Sequence, residues 1–156
     1  MKAKMKFKRI VACLVAAGAL ALSANAQAMT YNAGTFGSTL GDLGTATNPI
    51  VINGGGTNLD PEGLLFLDTI NFDLGTNNYF NMRTSGLTNV SLFKVPIFEN
   101  AGDTQVVAGK ATHLDQFLPD LHILDGDYHL HPQGLAGLGN YTYTVTLWGS
   151  ATPAAV

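Results

Sequence analysis

The chain has 156 residues, one cysteine and a formal net charge of −3. Five of its eight Lys and Arg residues lie at positions 2–9, whereas all 11 acidic residues lie beyond residue 28; the last 128 residues therefore hold three cations against 11 acids, a formal charge of −8. Such a surface repels nucleic acid and anionic lipid, and no nucleic-acid partner is expected.

The first 28 residues have the pattern of a bacterial secretory signal peptide. A basic start is followed by an apolar run from Ile10 to Leu22, and then by two Ala-x-Ala cleavage sites, after Ala26 or after Ala28. The apolar run is short for a membrane span. We therefore expect residues 1–28 to be removed, leaving a secreted or periplasmic protein with no stable membrane anchor. The only cysteine, Cys13, would leave with the leader, so no disulfide is expected.

Residues 29–156 are expected to form one all-β domain, since glycines and Asn, Asp and Thr residues separate short runs of β-branched and aromatic residues. About eight strands indicate a single antiparallel β-sandwich, jelly-roll-like in topology. The run Gly54–Gly56 is expected to be a loop, and Ala111–Leu124 either a short helix or a loop. The predicted strands are Thr30–Phe36, Pro49–Asn53, Leu64–Leu74, Tyr79–Thr84, Thr88–Val95, Thr104–Ala108, Asp127–His131 and Asn140–Trp148.

The strand predicted at Leu64–Leu74 contains one residue that does not fit its pattern. Apolar residues occupy alternate positions, as in a half-buried strand, but Asp68 stands within the apolar row. A buried carboxylate needs hydrogen-bond donors or a cation. The run Phe66-Leu67-Asp68-Thr69-Ile70, with Leu124–Leu130 and Gly139–Val145, resembles the exported FxDxF/FxDxY-type proteins of the PEP-CTERM sorting system of Gram-negative bacteria.

The same C-terminal segment is similar to bacterial pre-peptidase C-terminal domains, and both resemblances imply a small β-sandwich without an assigned activity. Two departures stand out. Ile70 occupies a position that is usually aromatic in the FxDxF family, and the chain ends at Thr152-Pro153-Ala154-Ala155-Val156 without the sorting tail. We therefore expect plain secretion or periplasmic residence.

Three groups of residues could carry a function, and the first is acidic. Asp68, with Asp125 and Asp127, could provide the hard oxygen ligands that Ca²⁺ requires. The alternative is a structural carboxylate at Asp68 that accepts backbone N–H groups and joins two strands. No cofactor is expected to be required.

The second group consists of histidines. His129 and His131 lie on one face of a predicted strand, about 6.5–7 Å apart by strand rise, and could bind Zn²⁺ or Cu²⁺ with His122 or Asp127 as the third ligand. Because Tyr128 and Leu130 occupy the opposite face, this face is expected to be exposed to solvent.

The third group is aromatic: Trp148, Tyr31 and Tyr79 could stack on a sugar, and core packing is the alternative role. Edge strands could also pair with other copies of the chain. No catalytic constellation is recognisable, and the chain contains neither Gly-x-Ser-x-Gly nor His-Glu-x-x-His. We therefore expect a non-enzymatic structural or adhesion component of the cell envelope or extracellular matrix, with a metal-binding periplasmic protein and a carbohydrate-binding module as alternatives.

Overall fold

The computed structural model describes residues 28–100, 104–107, 117–122 and 126–153. These residues form twelve β-strands and no helix. The strands are β1 (Thr30–Thr35), β2 (Ile50–Asn58), β3 (Leu64–Leu67), β4 (Thr69–Asp73), β5 (Tyr79–Thr88), β6 (Val90–Lys94), β7 (Ile97–Glu99), β8 (Thr104–Val107), β9 (Phe117–His122), β10 (Asp127–Leu130), β11 (Gln133–Ala136) and β12 (Gly139–Ser150).

The strands form a β-sandwich, as the sequence predicts. One layer is the sheet β2-β12-β5-β9, and the other consists of the sheets β1-β4-β10-β7-β8 and β3-β11-β6. All pairings in these sheets are antiparallel except that of β1 with β4, which is parallel. No helix among the described residues is long and apolar enough to cross a membrane.

The second layer is divided because three neighbouring strands are interrupted at the same level. We call this line the junction; it consists of Asp68 between β3 and β4, His131 and Pro132 between β10 and β11, and Val95 and Pro96 between β6 and β7. The two prolines have no N–H to donate to a sheet ladder. Adjacent strands nevertheless remain bonded, since Asp68 N donates to Pro132 O at 2.8 Å and His131 N donates to Pro96 O at 3.0 Å.

Alternate residues along the strands form the core between the two layers. In β12 the predicted inward face is confirmed: Tyr141, Tyr143, Val145 and Leu147 are all buried. Phe72 of one layer stacks on Phe80 of the other, with ring centroids 4.7 Å apart. Each buried aromatic or branched side chain of this kind stabilises the fold by roughly 1.5–3 kcal/mol.

The glycine run was predicted wrongly as a loop, because it lies inside β2 and pairs along its length with β12. A Cβ atom at Gly54 would lie 2.1 Å from Cζ of Tyr143, and one at Gly55 would lie 2.2 Å from the carbonyl oxygen of Tyr141. Glycine is thus required at both positions by close approach of β12.

The described residues form twelve strands where about eight were predicted. The run Leu64–Leu74 is divided into two strands at Asp68, and the short strands Ile97–Glu99 and Gln133–Ala136 lie outside the eight predicted ones. Within Ala111–Leu124, residues 117–122 form β9, an edge strand beside β5, while the rest of that segment lies outside the described residues.

Candidate functional site

Asp68 lies in the junction and joins the two layers of the sandwich. Its side chain is only 2% exposed. Its Oδ1 accepts the backbone N–H of Met29 at 2.9 Å, and its Oδ2 accepts the hydroxyl of Tyr143 from the opposite layer. Through these two hydrogen bonds, Asp68 connects the residue before β1 and strand β12 to the junction.

The pKa of Asp68 is raised above its ordinary value because burial disfavours the charged form; the bonds from Tyr143 and Met29 partly offset this effect. Tyr143 responds to the same surroundings. Burial raises its pKa, and the nearby carboxylate raises it further. Burial also raises the pKa of Tyr141 and of Tyr31, with a further contribution from the charge of Asp68. Three tyrosines that are neutral at ordinary pH therefore surround one buried acid.

The acidic residues predicted to share a cation with Asp68 are not near it where they are described. Asp127 is exposed and lies opposite Asp73, at the far end of β4. Five residues of strand separate Asp73 from Asp68, about 16 Å. Asp125 lies outside the described residues. The structure thus gives Asp68 a hydrogen-bonding role in the fold and does not bring Asp127 to it.

His129 and His131 form an aromatic cluster with Phe98 on the outer face of the second layer. The two imidazole centroids are 4.8 Å apart, and the ring of Phe98 stacks on His129 at 5.4 Å and meets His131 edge-on at 5.3 Å. Nδ1 of His131 lies 3.1 Å from the carbonyl oxygen of Asp68 and 3.3 Å from the hydroxyl of Thr69. The second imidazole is therefore held at the junction.

The expectation that this histidine face is open to solvent was wrong. His131 is 9% exposed and His129 is half-buried. The reason is the interruption at the junction, where the His131 ring lies against the backbone of Asp68. His122 belongs to β9 in the other layer, where it contacts Tyr79, so the structure does not bring it to His129 and His131. Within the described parts of the chain, no three His, Cys, Asp or Glu side chains are grouped to hold a metal ion.

Trp148 is half-buried on the outer face of the sheet β2-β12-β5-β9. It pairs with Asn81, and Tyr79 pairs two residues further along with Ser150, so Trp148 and Tyr79 share this face. Arg83 lies on the same face of β5 and is exposed. Tyr31 is not part of this group, because it packs against the core of the sandwich.

No protein-family model matches the chain, and no curated protein matches it. The chain is therefore described by its architecture, an all-β sandwich with a buried carboxylate at an interruption shared by three strands.

The sequence does not reveal the partners that give these residues their roles. Alternation predicts Tyr143 in the core, but its bond to Asp68 spans 75 residues of chain. No local pattern connects Met29 with Asp68 or Phe98 with the histidines. The one local signal was the alternation of β12, which places Tyr143 on the inward face; nothing in the sequence pairs that hydroxyl with a particular acid.

Proposed function

We propose that this chain is an exported, non-enzymatic β-sandwich that serves as a structural or adhesion component of the cell envelope or extracellular matrix. The observation that carries the proposal is the bonding of Asp68. Both carboxylate oxygens of this buried acid accept hydrogen bonds that hold the fold together, from Met29 and Tyr143. The leader pattern and the acidic, cysteine-free remainder support export.

Cell fractionation combined with an adhesion assay tests this function. We expect the tagged protein outside the cytoplasm, and we expect its deletion to weaken attachment of cells to a surface or matrix. Complementation by an Asp127→Asn variant, altered at an exposed residue, should restore attachment. Retention in the cytoplasm would contradict export. Turnover of a substrate by the purified protein, lost in a folded His129→Ala variant, would contradict the non-enzymatic role.

Metal binding is the second candidate, favoured by the environment of the two imidazoles. Nδ1 of His129 lies at 2.5 Å from Oδ1 of Asn100, and Nδ1 of His131 faces the carbonyl oxygen of Asp68. Metal-binding histidines commonly donate one ring N–H to such an acceptor and bind through the other nitrogen. The two ring centroids are 4.8 Å apart, a spacing at which both imidazoles could contribute to one Zn²⁺ or Cu²⁺ ion completed by water.

Titration calorimetry with Zn²⁺ and Cu²⁺ tests the second candidate. Saturable binding should disappear in His129→Ala and weaken about 10–100-fold in Asn100→Ala, which removes the acceptor and keeps both ligands. His122→Ala, altered on the other layer, is the control and should bind as the wild type does. Binding that survives His129→Ala would refute this site.

A carbohydrate-binding role is supported by the outer face that carries Trp148, Tyr79 and Arg83. An aromatic ring stacks on the apolar face of a sugar. The favoured ligand is therefore a glycan that presents such a face to Trp148. Binding on a glycan array should be lost in Trp148→Ala, whereas silence of the wild type across the array would refute the role.

A further inference from the structure

The backbone N–H and the carbonyl oxygen of Met29 are both hydrogen-bonded. Its N–H donates to Oδ1 of Asp68 at 2.9 Å, and its carbonyl oxygen accepts the N–H of Thr69 at 2.8 Å. The first strand begins at the next residue, Thr30, which pairs with Thr69. Ala28, directly before it, is exposed. The nitrogen of Met29 is thus fixed beside the buried carboxylate, one residue before the first strand.

The two groups that hydrogen-bond to the carboxylate of Asp68 carry no positive charge. Burial raises the pKa of Asp68, and the two groups that oppose burial, the hydroxyl of Tyr143 and the N–H of Met29, are neutral. The further groups around the carboxylate are the phenols of Tyr31 and Tyr141 and the imidazole of His131, which faces the Asp68 carbonyl. A cation beside a buried carboxylate relieves the cost of its desolvation.

The two Ala-x-Ala sites of the leader have different consequences for this contact. Cleavage after Ala26 leaves Gln27 and Ala28 in front of Met29, whose nitrogen stays a neutral amide. Cleavage after Ala28 makes that same nitrogen the new chain terminus. Hydrolysis of the Ala28–Met29 peptide bond adds one water, leaving a carboxylate on Ala28 and an ammonium group on Met29.

We propose that signal peptidase cleaves after Ala28 and that the freed α-ammonium group of Met29 forms a partly buried ion pair with Asp68. The inference rests on the export proposed above, since it requires the leader to be removed. It gives Asp68 a role that depends on processing. The leader-bearing chain has only an amide at this position, whereas the mature chain gains a charge-assisted bond at the same atom. Removal of the leader therefore stabilises the fold.

The ion pair is tested with chains of defined N-terminus, made in the cytoplasm by cleaving a fusion partner so that export is not needed. The chains begin at Met29, at N-acetylated Met29 and at Gln27. We expect the chain with the free Met29 amine to unfold on the order of 5–10 °C higher than the other two at neutral pH. In an Asp68→Asn background all three chains should unfold at the same temperature. Equal unfolding temperatures of the three wild-type chains would overturn the ion pair.

The cleavage site is tested by intact-mass measurement of protein recovered from the periplasm and medium. A mass that begins at Met29 supports the proposal. A mass that begins at Gln27 overturns it and leaves the export proposal standing. Full-length protein retained in the cytoplasm contradicts export itself, and the defined chains still decide whether the Met29 amine and Asp68 interact.

Discussion

Replacing Tyr143 by phenylalanine isolates the bond that joins the two layers. The hydroxyl of Tyr143 donates to Oδ2 of Asp68, a carboxylate that is 2% exposed. The substitution leaves the ring in place, so its stacking on Phe66 at 5.7 Å is kept and no large cavity forms. The loss is therefore that of the buried hydrogen bond to a charged group, about 1.5–3 kcal/mol, together with a side-chain hydrogen bond between Tyr143 and Tyr31.

Urea unfolding of a chain that begins at Gln27 measures this loss. We expect Tyr143→Phe to lower the free energy of unfolding by about 2 kcal/mol with an unchanged denaturant slope, and to lower the melting temperature by on the order of 10 °C. Tyr141→Phe is the matched control. Tyr141 is equally buried and stacks on Phe66 at 5.0 Å, but no bond from its hydroxyl to Asp68 is seen in the described part of the chain. Its loss should stay below about 1 kcal/mol.

A double-mutant cycle separates the bond from other effects of the substitution. If the hydroxyl and the carboxylate interact, Tyr143→Phe should cost about 1–2 kcal/mol less in an Asp68→Asn background than in the wild type. Equal costs of Tyr143→Phe and Tyr141→Phe, together with an additive cycle, would refute the role assigned to this pair.

Gly54→Ala should destabilise the domain by about 3 kcal/mol or more, because the added Cβ meets the ring of Tyr143 inside the sheet; Val51→Ala, at an exposed position of the same strand, is the control in urea unfolding. In the chain that begins at Gln27, the folded pKa of Asp68 lies above its unfolded value of 3.8, so the native state binds that proton more tightly. The contribution of Asp68 to the free energy of unfolding should therefore fall as pH rises from about 4 through the folded pKa. The difference in free energy of unfolding between the wild type and Asp68→Asn, measured in urea, should fall over the same pH range. A difference that does not change with pH contradicts the raised pKa. Because the pKa of Tyr143 is raised in the folded state, its contribution is complete below about pH 10 and should be lost as pH rises further. Alkaline unfolding should then coincide with the appearance of tyrosinate absorbance, and ionisation of all tyrosines without unfolding would contradict it.

Alternation along the chain was sufficient to predict the faces of the strands. Residues 64, 66, 70, 72 and 74 all lie in the core, on the side that the two-residue period assigns to them. The same holds for the inward residues of β12. The period of side chains along a strand is a local property of the backbone, so the sequence alone reveals it.

The interruption at Asp68 was decided by tertiary structure. Nothing in residues 64–74 shows that the strand ends and begins again there, because the break occurs together with those at Pro132 and Pro96 in neighbouring strands. The burial of His131 follows from the same junction, which is why its predicted exposure was wrong. The glycine run was misassigned for a similar reason. Its small residues are required by the ring of Tyr143, which is nearly 90 residues away in the chain.

By itself, the sequence determined an all-β fold, the inward face of its main strands and the presence of one acid in an apolar row. It also indicated a leader with two cleavage sites. Only the tertiary structure decided what that acid contacts, because Met29 and Tyr143 reach Asp68 from distant parts of the chain through the pairing of sheets. A local pattern records which way a side chain points, whereas its partner depends on strand order and register, which long-range packing determines.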